Sequence, residues 1–364
     1  MMNSKSPRKG LTHKLLGSVE KLIENYDPIN KWSAFSKERI AEPAFQRDQD
    51  FIQQLLPFME AFNTYFGSEI RGFNLIPKDK PVLLVGNHSG GVMTPDTCKL
   101  LSTWFQERKD QTLIGLAFDA AFSIPGLAPI MRKIGQVPAS HANALKALEN
   151  GCSVLVYPGG AHEVFRPWSD RNQIDFAEHR GFIRLAIKAG VAIVPVVSHG
   201  GHNTTMVLSR GEKLAKLFKM DRLRMTVYPI LLQFPWGIST PGQPGIPMPA
   251  KITMQVLEPR DMSHHGQEGA QDEELVNKYY EEITQAMQET LDALVQENPR
   301  PIVSRIQNLV ESVFYKSERK SNAPAETTHK IYQADLSTRS VRNGPAETHS
   351  YSEDKPSTPF AAAG

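Results

Sequence analysis

The sequence has few cysteines, little net charge and no long apolar run. Its 364 residues include two cysteines, Cys98 and Cys152, and 41 Lys+Arg stand against 39 Asp+Glu. The cysteines show neither disulfide nor metal-ligand spacing, so a reducing compartment is expected. A net charge of +2, with no dense basic run in the body of the chain, argues against a nucleic-acid partner.

A membrane-spanning helix needs about 18 or more uncharged apolar residues, and no stretch supplies them. The closest, Thr112–Met131, contains Asp119 and two prolines. The N-terminal segment begins with basic residues but lacks the continuous apolar core of a signal peptide. These features predict a protein that is cytosolic, or peripheral on the cytoplasmic side of a membrane.

Two amphipathic helices are predicted in residues 1–70. Apolar residues recur at helical spacing from Leu11 to Tyr26, behind a basic lead. Such a helix either packs on the domain or lies on an anionic membrane surface. A second helix is predicted around Phe51–Phe66, interrupted by Pro57.

Short apolar strands alternate with helical stretches over residues 71–260. This pattern predicts an α/β fold with a mostly parallel sheet covered by helices on both faces. A helical segment is predicted at residues 261–315, including a long amphipathic helix at Glu273–Gln296, and a disordered polar tail at 316–364. The predicted strands are Val82–Gly86, Leu113–Phe118, Val154–Tyr157, Ala192–Val197, Arg224–Ile230 and Ile252–Leu257.

His88 lies in a glycine-rich turn directly after the first of these strands. Open α/β folds build their sites at such strand ends. A helix start is predicted at Thr94-Pro95-Asp96, with Thr94 as the N-cap. Asp96 is therefore either a residue that complements the helix dipole or a carboxylate that orients the His88 imidazole.

A second group of polar residues follows the strand Val154–Tyr157. There the chain reads Pro158-Gly159-Gly160 and continues to His162, Glu163 and Arg166. Two strand ends that each lead into a Gly-Gly turn and ionisable residues predict one shared crevice.

Five motifs occur in the order seen in the glycerolipid acyltransferase superfamily: GNHSGG…PD, IPGLAPIMRKIGQVPA, YPGGAHEVF, RGFIRLAIKAGVAIVPV and FPWGI. The chain resembles most the branch close to the type-2 diacylglycerol acyltransferases, over about Phe66–Pro259. The resemblance implies the glycerolipid acyltransferase fold, a lipid hydroxyl acceptor, and acyl-CoA or acyl-ACP as co-substrate. It implies no bound cofactor.

The resemblance also implies roles for individual residues. His88 matches the family's catalytic histidine, and Asp96 is the nearest candidate for its aspartate, although seven residues intervene where the family has four. An acceptor hydroxyl needs a general base, and a developing oxyanion needs backbone N–H donors. Candidate donors are Gly90, Gly91, Gly159 and Gly160, with Glu163 and Arg166 beside them.

Arg132 and Lys133 have two interpretations. They either bind the phosphates of coenzyme A or complement a helix C-terminus. Glu163 likewise either orients the acceptor or pairs with Arg166.

The same residues are also compatible with other functions. Asn87–Gly91 nearly fits a nucleophile elbow, so a serine hydrolase with Ser89 as nucleophile and a distant histidine such as His199 is an alternative. A lipid-binding member of the fold without activity is another. His199 and His202 lack a carboxylate at ligand spacing, and no metal is expected.

The acceptor is predicted to be neutral. Superfamily members that acylate phosphate-bearing acceptors carry an arginine after the GQVPAS region and a Glu-Gly-Thr-Arg block. This chain has Ala139–Ala142 and Gly159–His162 at those places, without those charges. Diacylglycerol or a long-chain alcohol is therefore favoured over lysophosphatidic acid, although Arg166 or Arg171 could reach a phosphate.

Overall fold

The structure, a computed structural model, describes residues 45, 47–118, 121–122, 126–218, 220, 226–240, 242–243 and 245–321. The helix predicted at Leu11–Tyr26 and most of the predicted tail lie outside these residues. The chain divides into two units after Leu309, and both sheets lie in the first.

Helices and strands alternate along the described chain. The helices are α1 (Gln49–Phe66), α2 (Pro95–Glu107), α3 (Leu127–Lys133), α4 (His141–Glu149), α5 (Gly160–Val164), α6 (Gly181–Ala189), α7 (Glu212–Leu217), α8 (Glu273–Glu297) and α9 (Pro301–Ser321). The strands are β1 (Glu69–Arg71), β2 (Val82–Gly86), β3 (Leu113–Ala117), β4 (Gln136–Pro138), β5 (Ser153–Val156), β6 (Ala192–His199), β7 (Met206–Ser209), β8 (Ile230–Gln233), β9 (Gly237–Ser239) and β10 (Thr253–Val256).

The main sheet has the strand order β1-β10-β6-β2-β5-β3-β4. Strands β6, β2, β5, β3 and β4 are mutually parallel, whereas β10 is antiparallel to β6 and parallel to β1. The mostly parallel α/β fold predicted from the sequence is confirmed. A separate three-stranded antiparallel sheet has the order β7-β8-β9.

Helices cover both faces of the main sheet, as predicted. Side chains alternate along β2, so Leu83 and Val85 pack in one core cluster with α4, α6 and α8. Val82 and Leu84 pack in the other, with α1 and α2. Because β2 is apolar on both faces, it can occupy only the centre of such a three-layer arrangement.

Helix α8 packs one apolar stripe on the first of these clusters. Its buried residues recur every three or four positions: Val276, Tyr280, Ile283, Met287, Leu291 and Leu294. The side chain of Asp272 caps its start by accepting from the N–H of Leu275. This helix, which the sequence placed after the domain, therefore contributes to the same core.

The structure differs from the predicted elements at two places. The strand predicted at Arg224–Ile230 is wrong over residues 226–229, because β8 begins only at Ile230, after Pro229, which has no N–H to donate to a sheet. Helix α9 continues to Ser321, past the predicted start of the tail at residue 316. The short strands β1, β4, β7 and β9 were not predicted.

Candidate active site

The predicted site residues follow neighbouring strands of the main sheet. His88 comes two residues after the end of β2, Glu163 lies in α5 just after β5, and His202 follows β6. Strand β2 pairs with β5 on one side and with β6 on the other, all parallel. Their carboxyl ends therefore meet at one edge of the sheet, where open α/β folds bind ligands.

The two strand ends are joined by a direct hydrogen bond. The backbone N–H of His88 donates to Oε2 of Glu163 at 2.9 Å. The segments that carry the two Gly-Gly turns are brought together at this contact. Asn87 ties the same loop to β6, because its side chain exchanges hydrogen bonds with the N–H and carbonyl of Ser198 at 2.7 and 2.9 Å.

The imidazole of His88 is held by stacking. Its ring lies on the ring of Tyr157, with centroids 4.2 Å apart and an interplanar angle of 13°. Nδ1 of His88 is buried and has no hydrogen-bond partner among the described residues. Burial lowers the pKa of His88 to about 4, so the ring is neutral at pH 7 and can accept a proton.

Asp96 anchors the residue next to His88. Its buried carboxylate accepts from the N–H and the hydroxyl of Ser89, each at 3.0 Å, and from the N–H of Thr97 at 2.6 Å. Burial raises the pKa of Asp96 to about 6. The predicted contact between Asp96 and the His88 ring is not formed in this structure, and Asp96 contacts the neighbouring Ser89 instead.

The turn between His88 and α2 has an unusual backbone. Gly90 has a φ of +84°, and a Cβ there would lie 2.4 Å from Cδ of Pro95, so only glycine fits. Thr94 also has a positive φ, +38°, and its side chain makes no capping hydrogen bond. Thr94 occupies the predicted N-cap position without capping the helix through its side chain, and Pro95 and Asp96 lie in the first turn of α2, as predicted.

Glu163 and Arg166 form a buried pair behind the histidine. Each side chain is 1% exposed, and Oε1 of Glu163 lies 3.6 Å from Nη2 of Arg166. Arg166 also donates to the carbonyl of Asp175 at 3.2 Å. Burial raises the pKa of Glu163 to about 8. Of the two predicted roles for Glu163, the pairing with Arg166 is present.

The glycines of the second turn make room for this arrangement. A Cβ on Gly159 would lie 2.6 Å from Cβ of Glu163, so the close approach requires glycine. The N–H of Gly160 donates to the carbonyl of Tyr157 at 3.0 Å. Gly160 is thereby engaged in the turn itself.

A second histidine, His202, which the sequence analysis considered only as a metal ligand, lies near His88. His202 is buried, and its pKa is lowered to about 3 by burial and by the charge of Arg166. The only sequence signal for this neighbour is its position shortly after a buried strand. Among the described residues no group of three or more His, Cys, Asp or Glu could hold a metal ion.

Ser89 lacks the features of a nucleophile. It is 1% exposed, and its hydroxyl donates to Asp96. His199, the suggested partner, contacts the carbonyl of Asn298 through Nε2 at 2.9 Å. A nucleophile elbow exposes its serine oxygen, so the structure disfavours the hydrolase reading.

Arg132 and Lys133 lie away from this edge of the sheet. They end α3, which leads into the first residue of β4, so they are near the amino ends of the strands. Lys133 pairs with Asp48 at 3.1 Å and lies 4.8 Å from the ring centroid of Phe51. The structure does not bring these two residues to His88, and their position matches the helix C-terminus interpretation.

Comparison with known proteins places this site within a known family. Residues 67–199 match the family model Acyltransferase, a range that includes His88, Asp96, Glu163 and Arg166. This part of the chain is similar to the acyltransferase family. The resemblance to the glycerolipid acyltransferase superfamily is thereby confirmed.

Relatives of the acyltransferase domain occur in bacteria, plants and animals. An uncharacterized protein of Mycobacterium tuberculosis is 25% identical over 67% of this chain and 65% of its own length. Phytyl ester synthase 2 of Arabidopsis thaliana is 30% identical over 35% of this chain and 19% of its own length. The human DGAT1/2-independent enzyme synthesizing storage lipids is 25% identical over 53% of this chain and 58% of its own length.

The chain thus spans about 65% of the length of the mycobacterial relatives that it matches. Among solved structures, the 1-acyl-sn-glycerophosphate (LPA) acyltransferase PlsC of Thermotoga maritima aligns with a TM-score of 0.42 and 20% identity. The alignment covers 78% of this chain and 97% of PlsC. No described helix of the chain is both long enough and apolar enough to cross a membrane.

Proposed function

We propose that this protein is an O-acyltransferase that moves a fatty acyl group from an acyl thioester to the hydroxyl of a lipid. The observation that carries the proposal is His88, a neutral imidazole with a free ring nitrogen at the carboxyl edge of the sheet. Its backbone is fixed by Glu163 and its ring by Tyr157. A base held in this way is what a hydroxyl acceptor requires.

The reaction needs no nucleophile from the protein. His88 removes the proton of the acceptor hydroxyl, and the oxygen attacks the thioester carbonyl carbon. The tetrahedral intermediate then collapses, the carbon–sulfur bond breaks, and the thiolate takes the proton from the imidazolium. The products are an ester and a free thiol, either coenzyme A or the acyl carrier protein.

Backbone N–H groups beside His88 are the candidate donors for the oxyanion. The N–H of Ser89 already donates to Asp96, and that of Gly160 to Tyr157. This leaves Gly90, Gly91 and Gly159 as candidates. Donors preorganised in this way are worth about 3 to 4 kcal/mol in comparable sites.

A neutral acceptor fits the charges of the site best. Arg166 is buried against Glu163 and the carbonyl of Asp175. Nη1 of Arg171 donates to the carbonyl of Trp168, and its guanidinium lies 4.5 Å from that ring. Both arginines are thus already engaged in part by protein groups, which favours an acceptor without a phosphate. Two relatives are described by neutral products, as a phytyl ester synthase and as an enzyme synthesizing storage lipids.

The test is lipid mass spectrometry on the full chain. The protein is incubated with acyl-CoA or acyl-ACP and a panel of hydroxyl lipids, and new esters are measured. We expect His88→Ala to lose about 10²- to 10⁴-fold in rate. His264→Ala, at an exposed histidine in the turn Ser263–His265, serves as the control.

Full activity in a folded His88→Ala protein would refute the mechanism. If no ester forms from any donor and acceptor, the alternative of an inactive lipid-binding member of the fold takes its place.

A further inference from the structure

The small sheet β7-β8-β9 has an apolar outward face. Met206, Leu232 and Ile238 lie side by side in its register, and Ile238 is 74% exposed. The alternate positions Val207 and Leu231 are buried. An antiparallel sheet with one face in water normally carries polar residues on that face. This sheet is apolar on both.

The hairpin turn after β8 enlarges this face. Phe234 is 68% exposed and Trp236 53% exposed, and both lie in the turn between β8 and β9. Ile246, also exposed, is bridged to Phe234 through the backbone. We call Leu232, Phe234, Trp236, Ile238 and Ile246 the apolar plate. The turn contains the FPWGI motif, to which the proposed chemistry assigns no role.

The apolar plate is attached to the candidate active site through its inner face. Val207 and Leu231 pack with Val164 and Phe165, which directly follow Glu163. Arg210, next after β7, donates to the carbonyl of His162 at 3.2 Å. The plate is therefore the outer surface of the small sheet, and the inner face of that sheet packs on α5.

Basic residues lie in the connection between β7 and β8. Helix α7 joins the same sheet between β7 and β8, and its Lys213 and Lys216 are exposed, together with Leu217 and Phe218. Exposed apolar and aromatic side chains combined with lysines fit an anionic lipid interface. There the aromatic rings lie at headgroup level, and each basic residue adds about 1 kcal/mol.

We propose that the apolar plate docks this protein on the surface of an anionic phospholipid bilayer. The inference rests on the proposed function, because an enzyme that acylates a lipid has to meet its acceptor where that lipid resides. Docking through the plate brings the element that packs on α5, and with it the residues around Glu163, close to the lipid phase.

The test measures vesicle binding by the full chain without any substrate. Sedimentation is compared for vesicles of phosphatidylcholine alone and vesicles that also contain phosphatidylglycerol. We expect Phe234→Ser/Ile238→Ser to weaken partitioning roughly tenfold or more. The control, Val303→Ser/Ile306→Ser, changes two exposed apolar residues of α9 and is expected to bind like the parent.

A second readout follows Trp236 itself. Vesicles with brominated acyl chains should quench part of the tryptophan fluorescence, and that part should be lost in Trp236→Phe while vesicle binding remains. Quenching that is the same in the parent and Trp236→Phe would place the plate outside the bilayer and overturn the proposal.

Other outcomes also overturn it. The proposal is wrong if the folded Phe234→Ser/Ile238→Ser variant binds vesicles like the parent. It is also wrong if the parent protein binds no vesicles. A variant that loses self-association but keeps vesicle binding assigns the plate to a second copy of the chain. Vesicle binding is measured without turnover. A failure to detect acyl transfer by mass spectrometry therefore does not change the result on membrane docking.

Discussion

Replacement of Glu163 by alanine or by glutamine separates two roles of this carboxylate. Oε2 of Glu163 accepts the N–H of His88 at 2.9 Å, in a position where the side chain is 1% exposed. Alanine removes this acceptor and leaves the N–H without a partner, which costs about 1 to 3 kcal/mol. If this free energy is lost from the positioning of His88 for catalysis, the rate of acyl transfer drops about 10- to 100-fold.

Glutamine keeps an acceptor oxygen of nearly the same shape. Because burial raises the pKa of Glu163 to about 8, the native side chain is mostly a neutral acid at pH 7, which glutamine resembles. We therefore expect Glu163→Gln to keep activity within a few-fold of the parent. The lower rate of Glu163→Ala should come from kcat rather than KM, since the acceptor has no assigned contact with this carboxyl.

The same pair of variants predicts a pH effect on stability. The pKa of Glu163 rises from 4.5 to about 8 on folding, so between these values the folded state binds more protons than the unfolded state. The contribution of Glu163 to stability therefore falls as the pH rises through this window, by about 5 kcal/mol in total. Glu163→Gln should lose this dependence, as measured by urea unfolding between pH 5 and pH 9.

Two results would refute this reasoning. If Glu163→Ala is as active as the parent, the hydrogen bond to His88 does not position the base. If Glu163→Gln is as impaired as Glu163→Ala at pH 7, the charge of the carboxylate is needed, and Glu163 contacts the acceptor instead.

Three further predictions concern the neighbours of His88. Asp96→Asn should remove the contribution of Asp96 to stability, which falls as the pH rises from about 4 to 6, because burial raises the pKa of Asp96 to about 6; urea unfolding of the parent and the variant at pH 4.5 and 7 checks this, and the same change of stability with pH in both proteins contradicts it. Ser89→Ala should keep acyl transfer within about tenfold, since the hydroxyl only donates to Asp96; labelling of Ser89 by a fluorophosphonate with loss of activity in the variant would restore the hydrolase reading. In mixed micelles with equal surface concentrations, diacylglycerol should be preferred over lysophosphatidic acid; the opposite preference, lost in Arg166→Ala, would show that Arg166 binds phosphate.

Local pattern was sufficient to predict the fold class and the main elements. Strand β2 begins and ends where the sequence predicts, because an apolar run bounded by glycine is a local signal. The short strands β7 and β9 gave no such signal. Three or four residues are too few for a period, and their pairing depends on distant partners.

The sequence by itself determined that His88 and Glu163 each follow a buried strand, because strand ends and glycine turns depend on residues that are neighbours in the sequence. Only the tertiary structure decided that β2 and β5 are neighbours, and hence that Glu163 holds the backbone of His88. It also turned Asp96 toward Ser89 rather than toward the imidazole. Burial shifts the pKa values of His88 and Glu163. It depends on residues that are distant in the sequence and pack around each side chain, so no local stretch of sequence predicts it.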